Sequence, residues 1–359
     1  MSESESENRI RVAMIIELSS YSKIIPFQNP GGMGTIVPLW IEELEKLGCE
    51  VVVDRADFDY DILHLHNPLP KSIYLGIMGK LKGKKIVVHG HHLPELIKGG
   101  FKGASILYPL NRIYSRFFFN LGDVLVAPSP FAMRSLRKLG VKGPFEVVFN
   151  GVDRTKFKKN PELAKKFREK FRIESDEFVV VSVGLRIPRK GVDTFIETAA
   201  EFQRRYPDSK VRFVWIGGSE PLLVDAMPGG KLPENVLFTG YISFELLIGG
   251  YSNSGAFMLP TRAESYGNVV LEAASMGLPI ILRDIPAFDD WLETGKNCLK
   301  CASTEDFVRA VRMISSDETM RSILINGSNK LAEEHDIRNT GRRLFEIYRR
   351  LIAEDRSRS

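Results

Sequence analysis

The chain has 359 residues, of which 43% are hydrophobic and 26% charged, and its formal net charge at pH 7 is +5. This length favours two domains of about 150–200 residues each. The composition is that of a globular protein. A membrane-spanning helix needs about 18 consecutive apolar residues, and no apolar run in the sequence is that long. Three cysteines are too few for a disulfide framework. Two of them form the sequence CLKC, which we interpret as structural because no second pair or nearby histidine accompanies it.

The first residues give an expectation about location. Residues 1–8, MSESESEN, are acidic and lack the basic region and apolar core of a signal peptide. We therefore expect a disordered acidic tail on a cytoplasmic protein.

Charge is distributed unevenly along the first half of the chain. Residues 1–61 contain 12 acidic and 5 basic residues, whereas residues 71–142 contain 13 basic residues and only two acidic ones. Such a basic segment can hold an anionic surface or ligand, although solvated helix faces explain it equally well. It carries no stacking or groove-reading motif, so we expect no nucleic-acid partner.

Short apolar runs alternate with helix-length amphipathic segments, and this pattern predicts parallel sheets covered on both faces. Six predicted strands lie in the first half: IRVAMII, CEVVVDR, DILHLH, KKIVVHG, GDVLVAPS and FEVVFNG. Five lie in the second half: EFVVVSVG, VRFVWIGG, NVLFTGY, GAFMLPT and LPIILRD. The two sets predict two doubly wound α/β domains, over residues 9–155 and 156–338, followed by a terminal helix over 339–359.

Ligands of such sheets bind at the carboxyl ends of the strands. In the first domain, glycines at 31, 32 and 34 precede a helix expected to begin near Thr35. These glycines would let the backbone lie close to a phosphate or a sugar hydroxyl of a ligand. The alternative is that they form only a tight turn.

Five of the six histidines lie between His64 and His92. His64 and His66, and likewise His89 and His91, are two residues apart, so each pair shares one face of a strand. A metal site is one interpretation of such pairs. No matching set of ligands follows at the later strand ends, so we expect no metal, and instead a ring that hydrogen-bonds a substrate.

In the second domain, the loop in VGLRIPRKGVD places Arg186, Arg189 and Lys190 after a strand. Clustered cations at this position favour a phosphate-rich ligand, and exposed loop charges are the alternative.

The sequence TRAESYGNVVLEAASMG contains Glu264 and Glu272 around a helix expected to open near Gly267. The amides of Tyr266 to Asn268 would receive a pyrophosphate at that helix start. A carboxylate beside the pyrophosphate would be repelled by it, so we expect Glu264 to accept hydrogen bonds from neutral sugar hydroxyls. Glu272, further along the helix, would reach a ribose.

These motifs resemble the retaining glycosyltransferases of family 4. The resemblance covers nearly the whole chain and is carried by PGGMG with LWIEELEKLGCEV, DILHLHNP, NGVDRTKF, RKGVDTFIETA, FTGYIS and LPTRAESYGNVVLEAASMGLPII. It implies the GT-B fold, an α/β architecture of two facing Rossmann-like domains with an interdomain cleft. HGHHLPEL and the RKG sequence are most similar to the branch that glucosylates diacylglycerol and binds anionic bilayers through a basic first domain.

The resemblance also implies roles for individual residues. Glu264 and His91 would lie near the donor sugar, Glu272 at the ribose, and Lys190 at the phosphates, with Arg189 as the accompanying arginine and Arg186 as its alternative. The remaining donor contacts would come from Gly31, Gly32, Ser265, Tyr266, Gly267 and Asn268.

The expected activity is metal-free transfer of a hexose, with retention, from a nucleotide diphosphate sugar, UDP-sugar favoured. No cofactor beyond this co-substrate is expected. The acceptor would be a membrane glycerolipid or, alternatively, a soluble glycan or a phosphorylated sugar or polyol. The helix in residues 107–122 would rest on the inner face of a membrane, or else it is an ordinary core helix. A sugar-nucleotide epimerase, a histidine-cluster metal hydrolase and a non-catalytic binding module are the alternative functions.

Overall fold

A computed structural model describes residues 9–17, 31–55, 57–97, 104–219, 225–226 and 231–357. The described residues separate into two compact units. The first unit runs up to Gly151 and resumes at Asp336, and the second unit runs from Val152 to His335. The domain boundaries expected from the sequence, after residues 155 and 338, stay a prediction. The predicted acidic tail, residues 1–8, lies outside the described residues.

The first unit is built on a six-stranded parallel sheet with the order β2-β1-β3-β4-β5-β6. Its strands are β1 (Arg11–Ile15), β2 (Glu50–Val53), β3 (Ile62–Leu65), β4 (Lys85–His89), β5 (Val124–Ala127) and β6 (Phe145–Val147). Among the described residues, the helices between these strands are α1 (Gly31–Lys46), α2 (Pro70–Leu81), α3 (Ala104–Phe119) and α4 (Pro130–Leu139). Successive residues of β1 pack into two different core clusters, so both faces of this sheet are covered.

The second unit has its own six-stranded parallel sheet, with the order β12-β11-β10-β7-β8-β9. Its strands are β7 (Phe178–Val183), β8 (Val211–Ile216), β9 (Val236–Gly240), β10 (Ala256–Leu259), β11 (Ile280–Arg283) and β12 (Leu299–Cys301). Its helices are α5 (Pro161–Phe171), α6 (Val192–Arg205), α7 (Phe244–Ser252), α8 (Asn268–Ser275), α9 (Thr304–Ser316) and α10 (Glu318–Glu334). The core of this unit is centred on aromatic side chains of β8 and α6.

The last helix, α11 (Ile337–Arg356), returns to the first unit. Its apolar face, which includes Leu344 and Tyr348, packs into the cluster that also contains Trp40 of α1. Among the described residues, no helix combines the length and the apolar composition that crossing a bilayer requires.

The predicted α/β class with two parallel sheets is confirmed, and each of the eleven predicted strands is present. The strand β12 was missed because it is three residues long and has a lysine at its centre, which gives no apolar run. Its Cys301 and the preceding Cys298 are buried and reduced, and burial raises the pKa of both thiols to about 12.

The predicted start of the first helix near Thr35 is wrong, because α1 begins at Gly31. Glycine weakens a helix interior, but the first-turn amides of a helix need no intrahelical partner. Gly31 and Gly32 therefore form the first turn of α1.

Candidate active site

The candidate site of the second unit lies where its strand order reverses. β7 lies between β8 and β10, so the chain leaves β7 in one direction across the sheet and later returns on its other side. The loops that follow β7 and β10 therefore start side by side at the carboxyl ends of neighbouring strands. In doubly wound sheets this is the usual position of a ligand crevice.

These two loops are packed tightly against one another. Gly191 has φ +75°, and a Cβ atom placed there would lie 2.1 Å from the carbonyl oxygen of Pro260. The amide of Arg262 donates to the carbonyl of Arg189 over 2.8 Å. Only glycine permits this approach, which fixes the loop after β7 against the loop after β10.

A group of charges around the buried Glu264 joins the two loops. Lys190 Nζ lies 2.6 Å from Glu264 Oε1, and Arg189 Nη1 lies 3.5 Å from Glu264 Oε2. The Thr261 hydroxyl donates to Glu264 Oε1 over 3.0 Å. Glu264 is only 7% exposed, so its negative charge depends on these partners.

The protonation of this pair follows from its surroundings. Burial alone would raise the pKa of Glu264, but the charges of Lys190 and Arg189 outweigh it and the pKa lies below its ordinary value. Burial lowers the pKa of Lys190, and the Glu264 carboxylate opposes that effect. The sequence predicted Glu264 among neutral hydroxyls and Lys190 on a phosphate. In the structure Lys190 and Glu264 form an ion pair with each other. Without this pair, each side chain would carry a poorly hydrated charge with fewer neighbouring groups to stabilise it.

The two arginines of the loop after β7 have different positions. Arg189 Nη1 donates to the carbonyl of Ala263 over 2.7 Å, next to Glu264. Arg186 instead contacts Ser219 and Asp225, at 3.2 and 2.9 Å. The structure therefore brings Arg189, and not Arg186, to the carboxylate.

The loop after β10 ends at the open start of helix α8. Gly267 occupies the N-cap position with φ +97°, and no side chain caps the helix there. The residue before it, Tyr266, is buried and stacks on Trp291 with 4.7 Å between ring centroids. Ser265 links this tyrosine to Glu264, and Asn268 is the first helical residue. The amides and the positive end of the dipole of α8 lie at this helix start, so it can receive an anion.

Glu272 lies one turn inside α8 and has a partner that the sequence did not reveal. The Tyr251 hydroxyl, on α7, donates to Glu272 Oε2 over 2.9 Å. Burial raises the pKa of Glu272 to about 7, although Tyr251 and Lys190 both act to lower it. This carboxyl group therefore changes charge near neutral pH.

The remaining predicted site residues belong to the first unit. Gly31 and Gly32 form the first turn of α1. His91 follows β4 and stacks in parallel on His89, with centroids 4.0 Å apart, and both rings stack on Trp40. The two histidine pairs share one sheet face, as their spacing predicted. Burial lowers the pKa of His91 well below that of a free imidazole, so the ring is neutral.

Comparison with known proteins identifies the family. The model described as "Glycosyltransferase Family 4" matches residues 54–156, and "Glycosyl transferases group 1" matches residues 177–317. The processive diacylglycerol alpha-glucosyltransferase of Acholeplasma laidlawii is 27% identical, over 92% of this chain and 97% of its own length. The alpha-galactosylglucosyldiacylglycerol synthase of Streptococcus pneumoniae is 26% identical, over 79% of this chain and 77% of its own length.

Solved structures show the same fold at low sequence identity. Sucrose-phosphate synthase of Thermosynechococcus elongatus has a TM-score of 0.76 at 17% identity, and covers 96% of this chain and all of its own. HepE of Anabaena, solved with UDP and glucose, has a TM-score of 0.74 at 14% identity, over 94% of this chain and 99% of its own. The chain is a glycosyltransferase with the GT-B architecture, and it belongs to glycosyltransferase family 4.

Proposed function

We propose that the chain transfers a hexose from a nucleotide diphosphate sugar, with UDP as the favoured nucleotide, to an acceptor hydroxyl, without a metal ion and with retention of configuration. The observation that carries the proposal is the ion-pair group of Lys190, Arg189 and the buried Glu264 beside the start of α8. It combines two cations for a diphosphate with a carboxylate for sugar hydroxyls. Retention is proposed from the resemblance of the paired glutamates to those of retaining family 4 enzymes.

The diphosphate would lie at the start of α8. There the helix amides from Tyr266 to Asn268 and the positive end of the helix dipole attract negative charge. Lys190 and Arg189 would turn part of their hydrogen-bonding capacity from Glu264 to the phosphate oxygens. The charge that develops on the leaving diphosphate would be stabilised by these preorganised groups, which perform the function that a metal ion has in other transferases.

The two glutamates would hold the two sugars of the donor. Glu264 is ionised and buried, so hydroxyls of the transferred hexose would make charge-assisted hydrogen bonds to it. Glu272 lies four residues into α8, about 6 Å along its axis, and would accept hydrogen bonds from the ribose hydroxyls. His91 belongs to the first unit, and its role near the donor sugar stays a prediction.

We propose a diacylglycerol-type lipid as the acceptor, because two of the relatives are named for diacylglycerol glycolipids. The first unit has a surface suited to a bilayer. On α3, the apolar stripe of Ile106, Leu110, Ile113 and Phe117 recurs every three or four residues, and each side chain is at least half exposed. Such a stripe facing water is costly unless it contacts a membrane or a protein.

The neighbouring helix α2 extends this surface. The strands β3, β4 and β5 follow one another in sheet order, so right-handed connections place α2 and α3 on the same face of the sheet. Tyr74, Ile77 and Leu81 of α2 are also exposed. Basic residues of the 71–142 segment would add attraction to anionic lipid headgroups. The Phe118 and Phe119 side chains are buried, so α3 is a core helix and a surface helix at once.

Vesicle flotation tests the membrane part of the proposal. We expect the protein to float with vesicles that contain phosphatidylglycerol and to float poorly with phosphatidylcholine alone. Ile113→Ser should reduce flotation, whereas Ile323→Ser, an exposed isoleucine of the second unit, should not. If the two variants float equally well, the exposed apolar stripe of α3 is not the membrane-binding surface.

A transfer assay tests the proposed activity itself. The protein is incubated with EDTA, diacylglycerol in anionic vesicles, and labelled UDP-glucose or UDP-galactose, and the product is analysed by NMR. We expect a glycolipid with the α-anomeric linkage of the donor. A β-linkage would refute retention, and donor conversion without an acceptor would indicate an epimerase. Donor binding with neither transfer nor hydrolysis would indicate a binding module.

A further inference from the structure

A second concentration of polar chemistry lies in the first unit. His64 and His66 alternate along β3 and just past its end, and His89 ends the adjacent strand β4. We call His64, His66 and His89 the histidine cluster. All three side chains are fully buried. Two histidines two residues apart on one strand, with a third from its neighbour, present three imidazoles from one sheet face.

The ring nitrogen atoms of the histidine cluster lie near one another. One ring nitrogen from each histidine lies within 4.8 Å of the other two. In this structure His64 Nε2 and His89 Nδ1 hydrogen-bond each other over 3.3 Å, and an ion bound between them would replace that bond. In a tetrahedral zinc site with metal–nitrogen bonds of about 2.0–2.1 Å, two ligand nitrogens are separated by about 3.3–3.4 Å.

Three ring nitrogens of the histidine cluster form no hydrogen bond with another described residue. Neither ring nitrogen of His66, nor Nε2 of His89, has a hydrogen-bond partner there. Buried polar atoms are almost always paired, so a fully buried imidazole whose two nitrogens contact no other described polar group is able to bind an ion. An ion at the centre of the histidine cluster would use one nitrogen of each ring.

The surroundings orient one of the three rings for coordination. His64 Nδ1 lies 2.6 Å from the Tyr348 hydroxyl of α11. If Nδ1–H donates to this oxygen, the lone pair of His64 is left on Nε2, the atom that faces His89. Such an outer hydrogen bond is the usual means by which a protein fixes a metal-binding imidazole. The Trp40 ring, stacked on His89 at 4.7 Å, supplies an apolar wall.

We infer that the histidine cluster binds one divalent first-row transition-metal ion of the class that prefers imidazole, such as Zn²⁺ or Co²⁺. Three neutral imidazoles leave a fourth position for a water molecule or an anion. The ion would connect β3 and β4 and, through Tyr348, helix α11. It takes no part in the proposed sugar transfer, so the two proposals stand or fall separately.

Metal titration of the full-length, tag-free protein tests this inference. The protein is stripped with a chelator and titrated with Zn²⁺ against a chromophoric competitor at pH 7.5. We expect one equivalent per chain, bound at least 100-fold more weakly by His66→Ala. His92→Ala is the matched control, because His92 is a partly buried histidine of the same segment that bonds Asn111 instead, and we expect no change from it. Tyr348→Phe should weaken binding about 10–100-fold.

A second measurement uses only the wild-type protein, so it is valid even if the substituted variants do not fold. Added Co²⁺ should produce the visible absorption of a four-coordinate site, and Zn²⁺ should abolish it. Absence of this absorption, or less than a tenth of an equivalent of bound Zn²⁺, would overturn the inference. So would equal Zn²⁺ affinity in His66→Ala and wild-type protein with matching circular dichroism spectra.

Discussion

Replacing Glu272 with glutamine should make the second unit more stable above neutral pH and leave it nearly unchanged in acid. The pKa of Glu272 is raised from 4.5 to about 7, mainly by burial. Below pH 4.5 the group is protonated in both folded and unfolded chains. As the pH rises through 7, the folded chain must ionise a carboxyl that ionises more easily when unfolded, so the wild type loses stability.

The size of the effect follows from the two pKa values. A shift of about 2.5 units corresponds to about 3 kcal/mol when each unit is worth about 1.4 kcal/mol. Between pH 5 and pH 8 the stability of Glu272→Gln relative to wild type should therefore increase by about 2.5 kcal/mol. Urea unfolding at both pH values measures this difference, because carboxyl groups common to the two proteins cancel. A difference that stays constant with pH would refute the reasoning.

The same titration should appear in nucleotide binding. If ribose hydroxyls donate to the Glu272 carboxylate, UDP binds the ionised form, and its affinity should rise between pH 6 and pH 8. In Glu272→Gln the affinity should be lower and independent of pH over this range. Calorimetric titration with UDP measures both, with Glu169→Gln as an exposed control. If the UDP affinities of Glu272→Gln and Glu169→Gln change with pH in the same way, Glu272 does not bind the ribose.

Two further predictions concern the loops after β7 and β10. Lys190→Met removes the main partner of the buried Glu264 and should lower the free energy of unfolding by about 3–5 kcal/mol. Adding Glu264→Gln should recover most of this loss, and a coupling energy near zero in the double-mutant cycle would contradict the pairing. Gly191→Ala should cost about 3 kcal/mol or more in urea unfolding, because its Cβ would overlap the Pro260 carbonyl. Gly48 is also at positive φ but has open space around it, so Gly48→Ala should lower the free energy of unfolding by only about 1–2 kcal/mol. Equal losses for the two variants would show that backbone strain, and not the overlap with Pro260, causes the destabilisation.

Local sequence patterns were sufficient for most of the fold. Short apolar runs predicted eleven strands, and the i, i+2 spacing predicted the shared face of His64 and His66. A glycine before an amphipathic run predicted the start of α8 within one residue. The start of α1 was placed wrongly because glycines were read as a loop, although a first helical turn tolerates them.

The partners of the site residues were harder to predict, because they come from distant parts of the chain. Tyr251 reaches Glu272 from another helix, and Tyr348 reaches His64 across 284 positions of sequence. Neither tyrosine has a local pattern that differs from an ordinary core residue. The loop after β7 carries two arginines near one lysine, and only its folded path directs Arg189 towards Glu264.

The central claim is that the Glu264 carboxylate holds the sugar that is transferred. Its most direct test is the initial rate of hexose transfer from the UDP-sugar by Glu264→Gln and by wild-type protein, with folding checked by circular dichroism. Hydrogen bonds to a charged group contribute about 1.5–3 kcal/mol each, so the loss of that charge should slow transfer on the order of 100-fold. Glu169→Gln should keep the wild-type rate. A rate for Glu264→Gln within twofold of wild type would contradict the account.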